Sequence, residues 1–220
     1  MIFGPDRERA GVHGVLLWNA VISAVNSQSN SSHGDHKGHR MEVGPTLRSD
    51  RITIIGNGGS GKTTLARELG EHLNIPVHHL DRIIWQPGWV PTPDEQVRER
   101  LIELMEEERW IIDGLGSVWT IELRVARADQ VILLDFPLGH CQHWAMARQV
   151  EMATTVRPDV TEGCFLDGMD QRMIELLEWV DREMMPKIRR LVTSPEVAPR
   201  LVHIKDPAEL ERFRDRYPVA

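Results

Sequence analysis

Nine consecutive residues carry the strongest chemical signal in this chain. Gly56-Asn57-Gly58-Gly59-Ser60-Gly61-Lys62-Thr63-Thr64 fits G-x-x-x-x-G-K-[ST], the phosphate-binding loop. Glycines at Gly56, Gly58, Gly59 and Gly61 let main-chain N–H groups approach phosphate oxygens, and Ser60 and Thr64 fall within the same cradle. Lys62 would reach the β- and γ-phosphates of a nucleoside triphosphate, and Thr63 would place its hydroxyl on Mg²⁺. Gly56, Gly58 and Gly61 also satisfy G-x-G-x-x-G, the dinucleotide fingerprint, with Asp81 near the distance of a ribose carboxylate. That fingerprint makes no use of a Lys-Thr pair after its last glycine, so Lys62-Thr63 favours the phosphate loop.

A loop of this kind works only between a strand and a helix. Ile52–Ile55 is a β-branched run of the buried-strand type, and Leu65, Ala66, Leu69 and Leu73 follow the loop at helical spacing. Further strands are expected at Ile75–Leu80, Trp110–Ile112, Gln130–Leu134 and Leu201–Ile204. Helices are expected at Asp94–Glu108, over a long stretch from Met169 to Leu191, and at Pro207–Phe213. Strands alternating with helices predict an α/β fold with a parallel sheet covered on both faces. Ligands of such sheets sit at the carboxyl ends of the strands. Asp81, Asp113 and Asp135 all fall at such ends, which aims three carboxylates at one crevice.

Mg²⁺ takes one or two carboxylates together with water and phosphate oxygens. Asp113 and Asp135 both follow apolar runs and both suit that role; Asp135 could equally cap a turn. His78 and His79 lie on the second strand, where alternation sends one inward and one outward, as structural histidines. Trp85 and Trp89 occupy a Pro/Gly-rich stretch, WQPGWVP, expected as a loop. They could form an aromatic wall for a planar acceptor or pack on the edge of the sheet.

The chain has 220 residues, 41% of them hydrophobic, which suits one domain with one sizeable core. Its formal net charge of -7 speaks against a dedicated nucleic-acid binder. Two cysteines, Cys141 and Cys164, exclude a disulfide scaffold and a cysteine zinc site. No apolar run reaches the roughly 20 residues of a membrane span, so a cytoplasmic location is expected. Residues 1–50 hold five basic and five acidic side chains, and Asn26–Gly38 is polar and aperiodic. This region reads as a disordered N-terminal extension, with the domain at 51–220. The apolar run Val15–Val25 lacks the flanks of a signal peptide; a start at Met41 is an alternative beginning. His33, His36, His39 and Asp35 read as a His-rich tail ahead of a metal site.

The segments GNGGSGKTTLA, HLDRIIWQPGW, WIIDG and ARADQVILLDFP resemble the DNA topology modulation proteins, a group similar to adenylate kinases. The resemblance spans about residues 51–213. It implies a P-loop NTPase fold whose five parallel strands run in the order 2-3-1-4-5, and it makes Asp113 the Mg²⁺-linked carboxylate. Asp113-Gly114 resembles the start of the DGFPR motif, although Leu115-Gly116-Ser117 departs from it. Arg124 matches an arginine that could touch the acceptor. A short lid is implied at about 138–168, with Arg148 and Arg157 closing on the phosphates and Trp144 standing where another arginine is common. Lys205-Asp206-Pro207 would border the adenine.

Together these readings predict Mg²⁺-dependent phosphoryl transfer from ATP to a nucleotide or other small acceptor. Lys62, Arg148 and Arg157 would neutralise charge, and Asp81 would bind the acceptor or serve as its base. A metabolite kinase of the shikimate or gluconate type is one alternative. A nucleotide-binding regulatory protein with little turnover is another.

Overall fold

The computed structural model describes residues 49–152, 159–164 and 171–216. The expectations for residues 1–48, including the tail histidines and Met41, lie outside the described residues, and so does Arg157.

The elements in chain order are β1 (Arg51–Gly56), α1 (Lys62–Leu73), β2 (Val77–His79), α2 (Asp81–Ile84), β3 (Trp85–Gln86), β4 (Val90–Pro91), α3 (Asp94–Met105), β5 (Trp110–Asp113), α4 (Val118–Arg127), β6 (Gln130–Leu134), α5 (Leu138–Met152), α6 (Gln171–Trp179), a π-helical turn (Val180–Met184), α7 (Met185–Val192), a 3₁₀ turn (Ala198–Arg200), β7 (Leu201–Ile204) and α8 (Pro207–Arg214). Five strands form a parallel sheet in the order β2-β5-β1-β6-β7. Counted along the chain, that is the expected 2-3-1-4-5.

Side-chain alternation explains the two covered faces. Ile52, Ile54, Ile111, Ile132 and Leu134 pack with Leu65, Leu69, Leu210 and Phe213, beneath α1 and α8. Ile55, Ile112, Val131 and Leu133 point the other way, into Val97, Leu101, Ile121, Val125, Ile188 and Val192 from α3, α4 and α7. A strand buried on both faces is apolar at nearly every step, which is why β1, β5 and β6 read as apolar runs; Thr53 in β1 is buried with its hydroxyl donating to Ile112 O. Among the described residues no helix is long and apolar enough to cross a membrane.

Three local expectations change. The second strand shrinks to Val77–His79, because Asn74 ends α1 in a left-handed turn (φ 53°) and Pro76 has no N–H to extend the ladder. The long helix between Met169 and Leu191 is interrupted by the π-helical turn. WQPGWVP forms the small antiparallel β3–β4 hairpin, with Trp89 at φ 59°. Helix α4, absent from the sequence reading, carries Arg124.

Candidate functional site

The phosphate-loop residues sit where the motif requires. β1 ends at Gly56, and the chain turns through Gly59 (φ 73°) and Gly61 (φ 85°) into the first residue of α1, Lys62. Gly59 is enforced twice: its φ is left-handed, and a Cβ there would collide with the Cys141 carbonyl of α5. The unpaired N–H groups at the start of α1 face the loop and favour an anion. Lys62 Nζ donates to Asn57 O at 2.7 Å. Burial pushes the Lys62 ammonium below the ordinary lysine range, while the charges of Asp113 and Asp81 oppose that shift.

Beside the loop lies a chain of three side chains. Thr63 Oγ1 donates to Asp113 Oδ2 at 2.9 Å, and His79 Nδ1 lies 2.6 Å from Asp113 Oδ1. Parallel pairing of β2 with β5 sets His79 opposite Asp113. The carboxylate is 3% exposed and the imidazole 12%. Burial works against a charged His79 ring, but the hydrogen bond and charge of Asp113 outweigh it and raise its pKa. A hydroxyl and a carboxylate side by side next to a phosphate cradle are the hard oxygen donors that Mg²⁺ selects. Thr63 and Asp113 therefore fit Mg²⁺, and His79 orients the carboxylate as an outer partner. His79 agrees with the expectation of a structural histidine, and its partner Asp113 becomes legible only once β2 is known to pair with β5.

Asp81 opens α2, half-buried, within Coulomb reach of both Lys62 and Arg124. Arg148 on α5 is half-buried and also felt by Lys62. Trp144, one turn earlier on α5, is 54% exposed.

Arg124 requires a correction. Direct contact with an acceptor was expected, yet the side chain is 0% exposed. Its guanidinium donates to the carbonyls of Thr120 (3.0 Å), Gly114 (3.0 Å) and Leu115 (2.8 Å). It holds the turn after Asp113 from within the wall of the crevice. Burial lowers its pKa to about 10, against the charges of Asp113 and Asp81, so it remains a cation at neutral pH.

Of the two expectations for Trp85, an acceptor wall or packing, the structure shows a packed ring. It is buried and packs edge-on against Trp89, with ring centroids 5.7 Å apart. Its ring supports the hairpin, and Trp89 is the half-buried member of the pair. Thr161 Oγ1 donates to Trp85 O at 2.6 Å and Gly88 N to Gly163 O at 3.1 Å, so residues 159–164 lie against this hairpin.

Asp135 is structural. Arg189 donates to it through Nε (2.9 Å) and Nη2 (2.7 Å), and His203 Nε2 lies 2.9 Å away. Burial would raise its pKa, but the hydrogen bonds from His203 and Arg189 win and hold it well below the usual carboxylate range. A depressed carboxylate stabilises the fold at pH values above about 4, and this contribution shrinks as pH falls through the folded-state value. Asp135→Asn is therefore expected to lose about 1–3 kcal/mol at pH 7. The deficit should narrow at pH 3, read as urea midpoints of the two proteins at both pH values.

No family model matches the chain. The protein named adenylate kinase 2 of Nostoc sp. is 31% identical over 182 residues, covering 67% of this chain and 93% of that protein. The adenylate kinase 2 of Synechocystis sp. is 27% identical over 132 residues, covering 53% of this chain and 72% of the relative. Among solved structures, a shikimate kinase from Acinetobacter baumannii in complex with shikimate aligns at 19% identity and a TM-score of 0.44, covering 76% of this chain and 90% of the other. Likeness to the Nostoc protein runs over nearly its whole length and joins a loop, a helix start and a paired threonine and aspartate that this chain assembles independently. The chain belongs to the adenylate kinase family and is a P-loop, ATP-dependent kinase.

Proposed function

We propose that this protein transfers the γ-phosphoryl group of ATP, with Mg²⁺, to a small acceptor bound on the Asp81 side of the crevice. The observation that carries the reading is the Thr63–Asp113 pair at 2.9 Å, set directly beside the phosphate loop. Main-chain amides of Gly58–Lys62 bind the phosphates, and Lys62 exchanges the Asn57 carbonyl for their oxygens. Mg²⁺, when bound by Thr63 and Asp113, would neutralise developing charge on the β- and γ-oxygens. Arg148 and Arg157 supply further positive charge. Asp81 contacts the acceptor, and it takes the proton if the acceptor is a hydroxyl; a phosphate acceptor needs no such base. Catalysis comes from positioning and electrostatics.

The motifs HLDRIIWQPGW and WIIDG support placing the chain near the DNA topology modulation proteins within this family. A net charge of -7 supports a small-molecule partner over direct nucleic-acid contact, with the reaction in the cytoplasm. The acceptor is a nucleotide or a nucleoside-like molecule. The half-buried carboxylate of Asp81 favours, as the second reading, a hydroxyl metabolite.

ADP release with ATP and Mg²⁺, measured across nucleoside monophosphates and small hydroxyl metabolites, separates the two. Turnover above basal hydrolysis with neither class would favour a regulatory nucleotide binder. Lys62→Ala is expected to lower turnover by about 10²–10³-fold, in line with losing one preorganised donor to transition-state charge. Unchanged ATP affinity and activity in that variant would defeat the assignment of the loop.

A further inference from the structure

The phosphate loop has a hub that the motif does not specify. Asn57 is 3% exposed, and both ends of its side chain are bonded. Its Oδ1 accepts from Gly58 N at 2.7 Å, and its Nδ2 donates to Leu177 O, in α6, at 2.9 Å. Its main-chain carbonyl accepts from Lys62 Nζ at 2.7 Å and from Ser60 Oγ at 2.8 Å. Leu177 also roofs the loop by contact, since a Cβ at Gly58 would lie 2.5 Å from Leu177 Cδ2. α6 is further tied to α5 by Gln142 Nε2 donating to Glu178 Oε1 at 3.3 Å. Immediately after α6 the helix widens into the π-helical turn Val180–Met184.

These contacts converge on one residue. Three donors suited to phosphate, namely the Gly58 N–H, the Ser60 hydroxyl and the Lys62 ammonium, are all satisfied by Asn57. Gly58 bonds the side chain, Ser60 and Lys62 the main-chain carbonyl, and the side chain also grips a helix carbonyl 120 residues further along the chain. A phosphate that takes the Gly58 N–H displaces Asn57 Oδ1, and so disturbs the carboxamide that holds α6; one that draws on Ser60 or Lys62 competes with the Asn57 main-chain carbonyl.

We propose that Asn57 is a positioning residue of the nucleotide site that couples occupancy of the phosphate loop to the end of α6 and the π-helical turn. This rests on the reading of the loop as the ATP site. The mechanism is exchange of partners: phosphate oxygens replace Asn57 as acceptor, and the carboxamide re-forms its bonds around Leu177. Coupling of this kind is reciprocal, so weakening the Asn57–Leu177 bond must change nucleotide affinity.

The test uses the full chain, a non-hydrolysable ATP analogue with Mg²⁺, calorimetry, and amide hydrogen exchange over residues 175–184. In the wild type the analogue should change exchange in that segment. In Asn57→Ala, affinity should rise by about tenfold, because phosphate no longer has to displace the carboxamide from the Gly58 N–H, and the analogue-dependent change should vanish. Wild-type affinity together with a wild-type exchange response in Asn57→Ala overturns the coupling. Failure of the wild type itself to bind the analogue overturns the nucleotide reading instead, and Lys62→Ala is the control for that outcome. Should Asn57→Ala not fold, Gly58→Ala displaces α6 from the other side, and adding Leu177→Ala makes room for the new methyl. Recovery of affinity and exchange response in the double variant supports the coupling, and no recovery overturns it.

Discussion

Asp113→Asn should reduce turnover by about 10²–10⁴-fold while leaving the fold intact. The carboxamide has the same shape, and its oxygen can still accept from Thr63 or from His79. What disappears is the negative charge that, with the Thr63 hydroxyl, suits a divalent cation. The defect should therefore appear in the Mg²⁺ titration. The Mg²⁺ concentration giving half-maximal activity should rise, and calorimetry should show the advantage of Mg²⁺–ATP over free ATP shrinking. Thermal melting should move little. A variant with wild-type turnover and wild-type Mg²⁺ dependence would remove Asp113 from the reaction and leave the Thr63 contact as a simple turn brace.

Arg124→Met should have the largest effect on stability. Methionine fills part of the volume but removes the guanidinium from the buried carbonyls of Gly114 and Thr120 and the half-buried carbonyl of Leu115. Orphaned buried polar groups of this sort cost about 1–3 kcal/mol each where no water reaches them, so a total loss of roughly 3–5 kcal/mol is expected. For a domain of this size that is a fall of roughly 6–20 °C in Tm. Arg124→Lys keeps the charge but lacks the fork that serves three carbonyls, and should recover less than half of the loss. A melting temperature for Arg124→Met within about 2 °C of wild type would show that the turn holds itself.

Much of the architecture could be read from local pattern. β1, the loop and α1 follow one another with unambiguous chemistry, and the apolar runs at Trp110–Ile112 and Gln130–Leu134 could hardly be anything but doubly buried strands. What local pattern lacks is pairing. Local pattern makes His79 a structural strand histidine without naming its partner, because only the β2–β5 register sets it beside Asp113. For Arg124 the resemblance suggests an acceptor contact, because nothing local announces that a guanidinium will be enclosed by a turn ten residues upstream. Asn57 occupies a position that the motif leaves open, and its partner lies in α6. Asp135 sits at a strand end just as Asp113 does, but Arg189 and His203 claim it from elements encoded far downstream. For His79, Asn57 and Asp135 the deciding partner is distant in sequence; for Arg124 it is a nearby turn whose closure local pattern does not show.

The strand order also bears on how the chain is made. β1 stands in the middle of the sheet, yet its two neighbours are β5 and β6, paired through Arg51 with Trp110 and Ile52 with Gln130. During synthesis the nascent segment that bears Lys62 leaves the ribosome with neither flanking ladder available. The first neighbour, β5, begins 54 residues after β1 ends, and the second, β6, begins 74 residues after it. Topologies dominated by such remote pairings nucleate slowly, and the apolar residues of β1 stay open to chaperones or to other unfinished chains meanwhile.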